Sequence, residues 1–175
     1  MKKNIYLNAG GGDEQYTPRY GVQFLVPHIQ HLRKKTIWCP FDRDDSQFVT
    51  VLRENGFIVV NSHLDYGQDF FTYQPDFWDA IISNPPYKHK RKYFERAMSF
   101  QKPFALLLPA NIISDSVIDK SMSDTIQFLI PDKRMRFFNK LTGNTGPAPT
   151  FKAIFVGVKI FQKQITIDNI DEKTI

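Results

Sequence analysis

Apolar and polar positions alternate along this chain in two rhythms, and each predicts an element. Short apolar or β-branched runs at Thr36–Cys39, Phe57–Asn61, Trp78–Ser83 and Phe104–Pro109 predict strands. Further apolar runs span Ile126–Ile130 and Met135–Phe138, and a last core strand spans Phe151–Phe161. Between them, Val22, Leu25, Val26, Ile29 and Leu32 recur every three or four residues, which predicts a helix from Pro18 to about Arg33 with Thr17 as its cap. A second helix is expected from Ser46 to Asn55, with Gly56 as its stop, and a third carries Tyr93, Phe94, Ala97 and Met98. Residues beyond Lys163 read as a short polar terminal strand or tail. Strands alternating with helices predict an α/β sheet covered on both faces.

Composition narrows the class. At 175 residues the expectation is one domain, 1–175, with no separate recognition unit. No apolar run approaches the roughly 20 residues of a membrane span, and the start lacks a signal-peptide core, so cytoplasm is the default and no membrane partner is expected. The lone Cys39 excludes an internal disulfide and a cysteine-rich zinc site. A net charge of +5 is compatible with a polyanionic partner without requiring one.

Chemistry concentrates where the strand ending at Ser83 meets Asn84-Pro85-Pro86-Tyr87. Two prolines remove two N–H donors and fix two φ angles, so the carbonyls of Asn84 and Pro85 have no local donor to occupy them. Asn84, held extended by the proline that follows it, has a side-chain oxygen that can accept from an amino group together with the Pro85 carbonyl. Tyr87 offers a flat face to a planar ring. The bland reading is a Pro-Pro surface turn with a half-buried tyrosine. Five potentially cationic residues follow, Lys88, His89, Lys90, Arg91 and Lys92, suited to phosphates or equally to a solvated loop. Ala9-Gly10-Gly11-Gly12 has phosphate-loop spacing but reads as a lead-in, since Asp13 and Glu14 follow it.

The Asn-Pro-Pro-Tyr turn resembles the catalytic tetrapeptide of adenine-N6 methyltransferases that use S-adenosylmethionine, which follows the fourth strand of a Rossmann-like sheet. The run Pro40-Phe41-Asp42-x-x-Asp45-Ser46-x-Phe48-Val49 looks like a loop variant of small phage and prophage methylases. The resemblance implies a mostly parallel seven-stranded sheet with an antiparallel last strand and S-adenosylmethionine as cofactor, and points to DNA, or RNA, as partner. No metal is needed. By the same resemblance Tyr16, Thr17 and Pro18 lie at the methionine end of the cofactor, with Pro40, Phe41 and Asp42 beside it and Asp42 meeting its ammonium. His63 stands nearest the ribose position. Gly67–Phe71 is similar to a third-strand motif in which Asp69 accepts from the cofactor's adenine and Phe70 packs on the ring; the local pattern is equally that of an Asp turn before two core phenylalanines. Asn84, Pro85, Pro86 and Tyr87 are the implied catalytic residues. Lys88, Lys90, Arg91 and Lys92 hold phosphates, and Pro149 and Phe151 wall the base pocket. The chain departs from the family at Cys39, where an acid is usual, and at Arg43 and Asp45, where glycines are usual.

Three rivals stay open at this point: an RNA adenine-N6 methyltransferase, a protein glutamine-N5 methyltransferase, and a catalytically inactive nucleic-acid-binding relative.

Overall fold

The computed structural model describes residues 15–139 and 149–173. In chain order its strands are β1 (Gln15–Tyr16), β2 (Thr36–Cys39), β3 (Ile58–Asn61), β4 (Ala80–Ser83), β5 (Phe104–Pro109), β6 (Ile126–Pro131), β7 (Phe138–Asn139), β8 (Ala153–Val158) and β9 (Ile165–Asp168). The α-helices are α1 (Arg19–Leu25), α2 (Gln47–Glu54) and α3 (Lys90–Ser99). Seven strands form one sheet in the order β3-β2-β4-β5-β8-β6-β9, and β1 pairs with β7 in a separate antiparallel ribbon. β8 runs antiparallel to both its neighbours, whereas β2 to β5 pair in parallel and β9 is parallel to β6. The last core strand is thus the reversed one, and the polar tail supplies an edge strand beyond it.

Side-chain alternation splits the core between the two faces of the sheet. Ile37, Cys39, Ala80, Ile82, Ala105, Leu107 and Phe155 face Val22 and Leu25 of α1 and Phe48 and Leu52 of α2. Trp38, Ile81, Leu106, Leu108, Ile154 and Val156 face Phe94 and Ala97 of α3. Both faces of the central strands are therefore apolar, which is why these strands read as unbroken hydrophobic runs. Each of the fully buried large side chains on α2 contributes about 1.5–3 kcal/mol by leaving water.

One expectation is corrected. The first helix stops at Leu25 and continues as a tighter 3-10 segment, Val26–Leu32, bent at Ile29. Pro27 causes the change, because it has no N–H to bond the preceding turn and its ring crowds that turn's carbonyl. The apolar stripe survives the bend, since Val22, Leu25, Val26, Ile29 and Leu32 are all buried. Of the two readings of residues 67–71, the structure has the Asp turn, with no strand there. Gly67 is left-handed at φ 71°, and Asp69 Oδ1 accepts from the Phe71 N–H at 2.9 Å, closing a local turn that competes with strand pairing. The seventh strand is β9, in the polar segment beyond Lys163. The glycines at 10–12 and most of the 140–150 loop lie outside the described residues.

Candidate functional site

From β2 the chain crosses to β3 on one side, and from β4 to β5 on the other. The strand order therefore reverses between β2 and β4, and their carboxyl ends open a crevice where ligands characteristically bind in open α/β sheets. Pro40, Phe41 and Asp42 leave the end of β2 there, and Asn84 leaves the end of β4.

Asn84 is tied to the segment leading into α1. Its Nδ2 donates to Thr17 Oγ1 at 3.1 Å. Thr17 is buried, and α1 starts with Pro18 in the cap position and no side-chain cap bond. The hydroxyl expected to cap a helix is instead spent on the amide. With Nδ2 so engaged, Asn84 Oδ1 is buried and has no hydrogen-bond partner. It stands as an acceptor without a donor.

Tyr87 is half-buried, opening a 3-10 turn, Tyr87–His89, just ahead of α3. Its ring meets Phe151 at 5.7 Å and 70° and Phe137 at 6.4 Å and 89°, both edge-to-face. The hydroxyl is buried and unpartnered, and burial pushes the phenol pKa up, so the group stays protonated. Pro85 is buried and Pro86 exposed. Pro149 is buried, with its carbonyl accepting from Arg134 Nη1 at 3.3 Å. Phe137 was not foreseen as part of this group, because its apolar run reads as core. The ribbon Tyr16↔Phe138 brings that run to the turn, with the two rings 5.9 Å apart.

Asp42 lies beneath the turn. Ser46 Oγ donates to its Oδ1 at 2.6 Å, and Ser83 Oγ donates to its Oδ2. The carboxylate thus joins the start of α2 to the last residue of β4, next to Asn84. Burial pushes its pKa up to about 6, against the opposing effect of the two hydroxyls. The residue is 7% exposed, so its carboxylate is a buried brace and little of it is offered to the crevice.

The rest of the rim is aromatic and polar. Phe41 packs on Phe70 at 4.9 Å and on Tyr93 at 4.9 Å, and Tyr93 stacks on Phe71 at 5.0 Å. Phe70 is buried against Trp38. Asp69 caps its own turn beside these rings. His63 Nδ1 accepts from the Asp65 N–H at 3.0 Å. Arg43, in a position where a glycine was expected, joins Tyr16 OH at 3.1 Å to Asp65 Oδ2 at 2.8 Å.

The basic run is ordered structure and no loop: Lys88 and His89 lie in the 3-10 turn, and Lys90, Arg91 and Lys92 form the first turn of α3. Arg91 is held by Glu95 Oε1 at 2.9 Å and Ser116 Oγ at 2.9 Å. Lys88 and Lys92 are exposed and Lys90 half-buried. Among the described residues no group of three His, Cys, Asp or Glu side chains is arranged to hold a metal, and no helix is long and apolar enough to cross a membrane.

No protein-family model matches the chain, and no curated protein does. Among solved structures it is similar to the methyltransferase subunit of a type I restriction-modification system from Streptococcus thermophilus, at 11% identity and a TM-score of 0.48 over 91% of this chain. It is also similar to a protein of Thermoplasma acidophilum provisionally named a methyltransferase, at 17% identity and a TM-score of 0.35 over 76% of this chain and 60% of that one. The chain spans about half the length of the first of these, 48%.

Proposed function

We propose that this chain transfers a methyl group from S-adenosylmethionine to the exocyclic N6 amine of adenine in DNA. The observation that carries the reading is the buried, unpartnered Oδ1 of Asn84 at the mouth of β4. An orphan acceptor there suits a ligand with an N–H to give, and the proline-stiffened turn holds it without local competition.

The residues present fit the cofactor in part. Phe41 and Tyr93 offer aromatic surface and Asp69 a carboxylate that accepts from an adenine amine, while His63 stands at the end of β3, where the ribose is expected. Bound there, S-adenosylmethionine supplies an electrophilic methyl group. The chain's own task is orientation. Asn84 Oδ1, with the Pro85 carbonyl, accepts the hydrogens of the target amine, which pulls its lone pair out of conjugation with the ring and aims it across the crevice. Thr17 keeps the amide facing that way. Asp42 braces the turn from below through Ser83.

DNA is favoured by the cations that follow Tyr87. Helix α3 begins with three basic residues, no acidic residue in its first turn and no side-chain cap, which is the wrong charge for the positive end of a helix unless an anion sits there. A phosphate of the target strand is such an anion. An adenine within a duplex must leave the stack to reach Asn84.

The test is transfer of a labelled methyl group to DNA, RNA and protein substrates, followed by base-resolved mapping. N6-methyladenine in DNA is the expected product. Label confined to RNA or to a glutamine side chain would overturn the substrate, and the absence of both transfer and cofactor binding by calorimetry would overturn the enzyme.

A further inference from the structure

Two polar atoms of one four-residue turn are buried without partners: Asn84 Oδ1 and Tyr87 OH. Four others share that condition among the described residues, but His28 Nε2 and Arg43 Nε each stand within 3.1 Å of a carboxylate oxygen. The remaining two, Gln23 Oε1 and Gln47 Oε1, are acceptors. Tyr87 therefore carries an orphan donor, close in the chain to an orphan acceptor. Buried hydroxyls are nearly always paired, so one with no partner within the fold is completed by something the fold does not itself supply.

A purely stacking role for Tyr87 does not account for this. Stacking uses the ring face and is served equally by phenylalanine, whereas here the ring lies across Phe137 and Phe151 and its hydroxyl is buried without a partner. Those rings supply no acceptor. The phenol is kept neutral by its burial, so it keeps a hydrogen to donate.

One acceptor and one donor three positions apart describe the ligand edge they suit: an amine hydrogen beside an atom with a free lone pair. We propose that Tyr87 OH donates to the ring nitrogen adjacent to the amine that Asn84 accepts, so that the turn reads the N6–C6–N1 edge of adenine. This rests on the adenine reading above and adds to it a hydrogen-bonding, base-selecting role for Tyr87. Guanine reverses both groups along the equivalent edge: its N–H can still meet the phenol oxygen, but its carbonyl is set against Asn84 Oδ1, acceptor against acceptor, and that contact rejects it. Thymine is rejected in the same way. Cytosine matches the pattern through N4 and N3, so only the size of its ring separates it from adenine.

A chemical double-mutant cycle tests the contact. Single-stranded oligonucleotides carrying one adenine or one 1-deazaadenine, in which N1 is replaced by CH, are offered to the wild type and to Tyr87→Phe. Removing either partner is expected to lower kcat/KM by about five- to tenfold, and removing both to lower it no further than one removal does. Losses that multiply, or full activity of Tyr87→Phe on adenine, overturn this inference while methylation by the wild type leaves the adenine reading standing. A wild type that methylates neither oligonucleotide overturns that reading and this inference with it.

A ligand-free measurement gives a second arm. Because the hydroxyl has no partner within the fold, Tyr87→Phe is expected to raise Tm by roughly 2–6 °C even as it slows transfer. A lowered Tm would show that the hydroxyl is bonded within the fold, and would overturn the assignment.

Discussion

Thr17 and Asn84, 67 positions apart in the chain, are joined by a hydrogen bond of 3.1 Å in which the amide donates. That bond decides which end of the amide is spent and which remains to meet a ligand. A residue before the first helix thereby sets the chemistry at the end of the fourth strand.

Asn84→Ala is expected to lower methyl transfer by about a hundredfold or more, the scale of losing one positioned polar group at a reacting centre. Asn84→Asp keeps an acceptor, with the Thr17 hydroxyl now donating to it, and is expected to retain far more activity. Cofactor affinity measured by calorimetry is expected to change little in either variant. Equal loss in both variants would remove the acceptor role.

Thr17→Val leaves Asn84 Nδ2 without its acceptor in a buried setting, which costs about 1–3 kcal/mol of stability and frees the amide to turn. Thr17→Ser restores the hydroxyl. Urea denaturation and steady-state kinetics of the two variants check this, with Ser expected near wild type and Val about tenfold lower in kcat; a Ser variant as impaired as Val would point to the packing of the methyl group instead.

Asp42 gives the stability curve a slope on the acid side. Its folded pKa of about 6 lies above the ordinary value of 3.8, so between these values the folded state binds more protons than the unfolded one. Its contribution is fully present below about pH 4 and is lost as pH rises through 6, a swing on the order of 3 kcal/mol. Asp42→Asn carries no such charge. The difference in unfolding free energy between variant and wild type is therefore expected to move in the variant's favour from about pH 4.5 to about pH 7.5, and a difference independent of pH would contradict a raised pKa.

Neutralising Lys88, Lys90 and Lys92 is expected to weaken DNA binding on all sequences alike and to lower the slope of log K against log salt by about 0.7–0.9 for each phosphate that is no longer neutralised. Arg91, already held by Glu95 and Ser116, is expected to contribute less when replaced by Gln. Fluorescence anisotropy across a salt series reads both effects. A loss confined to one sequence would mean that these side chains read bases.

Elements with local causes could be read from local pattern. β2 and β5 coincide with the apolar runs Thr36–Cys39 and Phe104–Pro109, because a strand covered on both faces has no polar positions to interrupt it. α2 starts after Ser46, whose side chain accepts from the Val49 N–H, and stops before Gly56 at φ 80°, since a cap and a left-handed turn are written in single residues. The turn at Asn84 was legible because prolines restrict the backbone wherever they occur. Whatever depends on distant partners was settled only in the folded chain. Thr17 reads as a helix cap and Asp42 as an open carboxylate, yet pairing with Asn84 and with Ser46 and Ser83 gives both hydroxyl and carboxylate other work. Phe137 reads as core until β1 and β7 bring its neighbour Phe138 to Tyr16 and its own ring to Tyr87. At residues 67–71 the local pattern fits a strand motif and an Asp turn equally, and the folded chain closes the turn through Asp69, while the polar tail takes its place as an edge strand only because β6 offers it a partner.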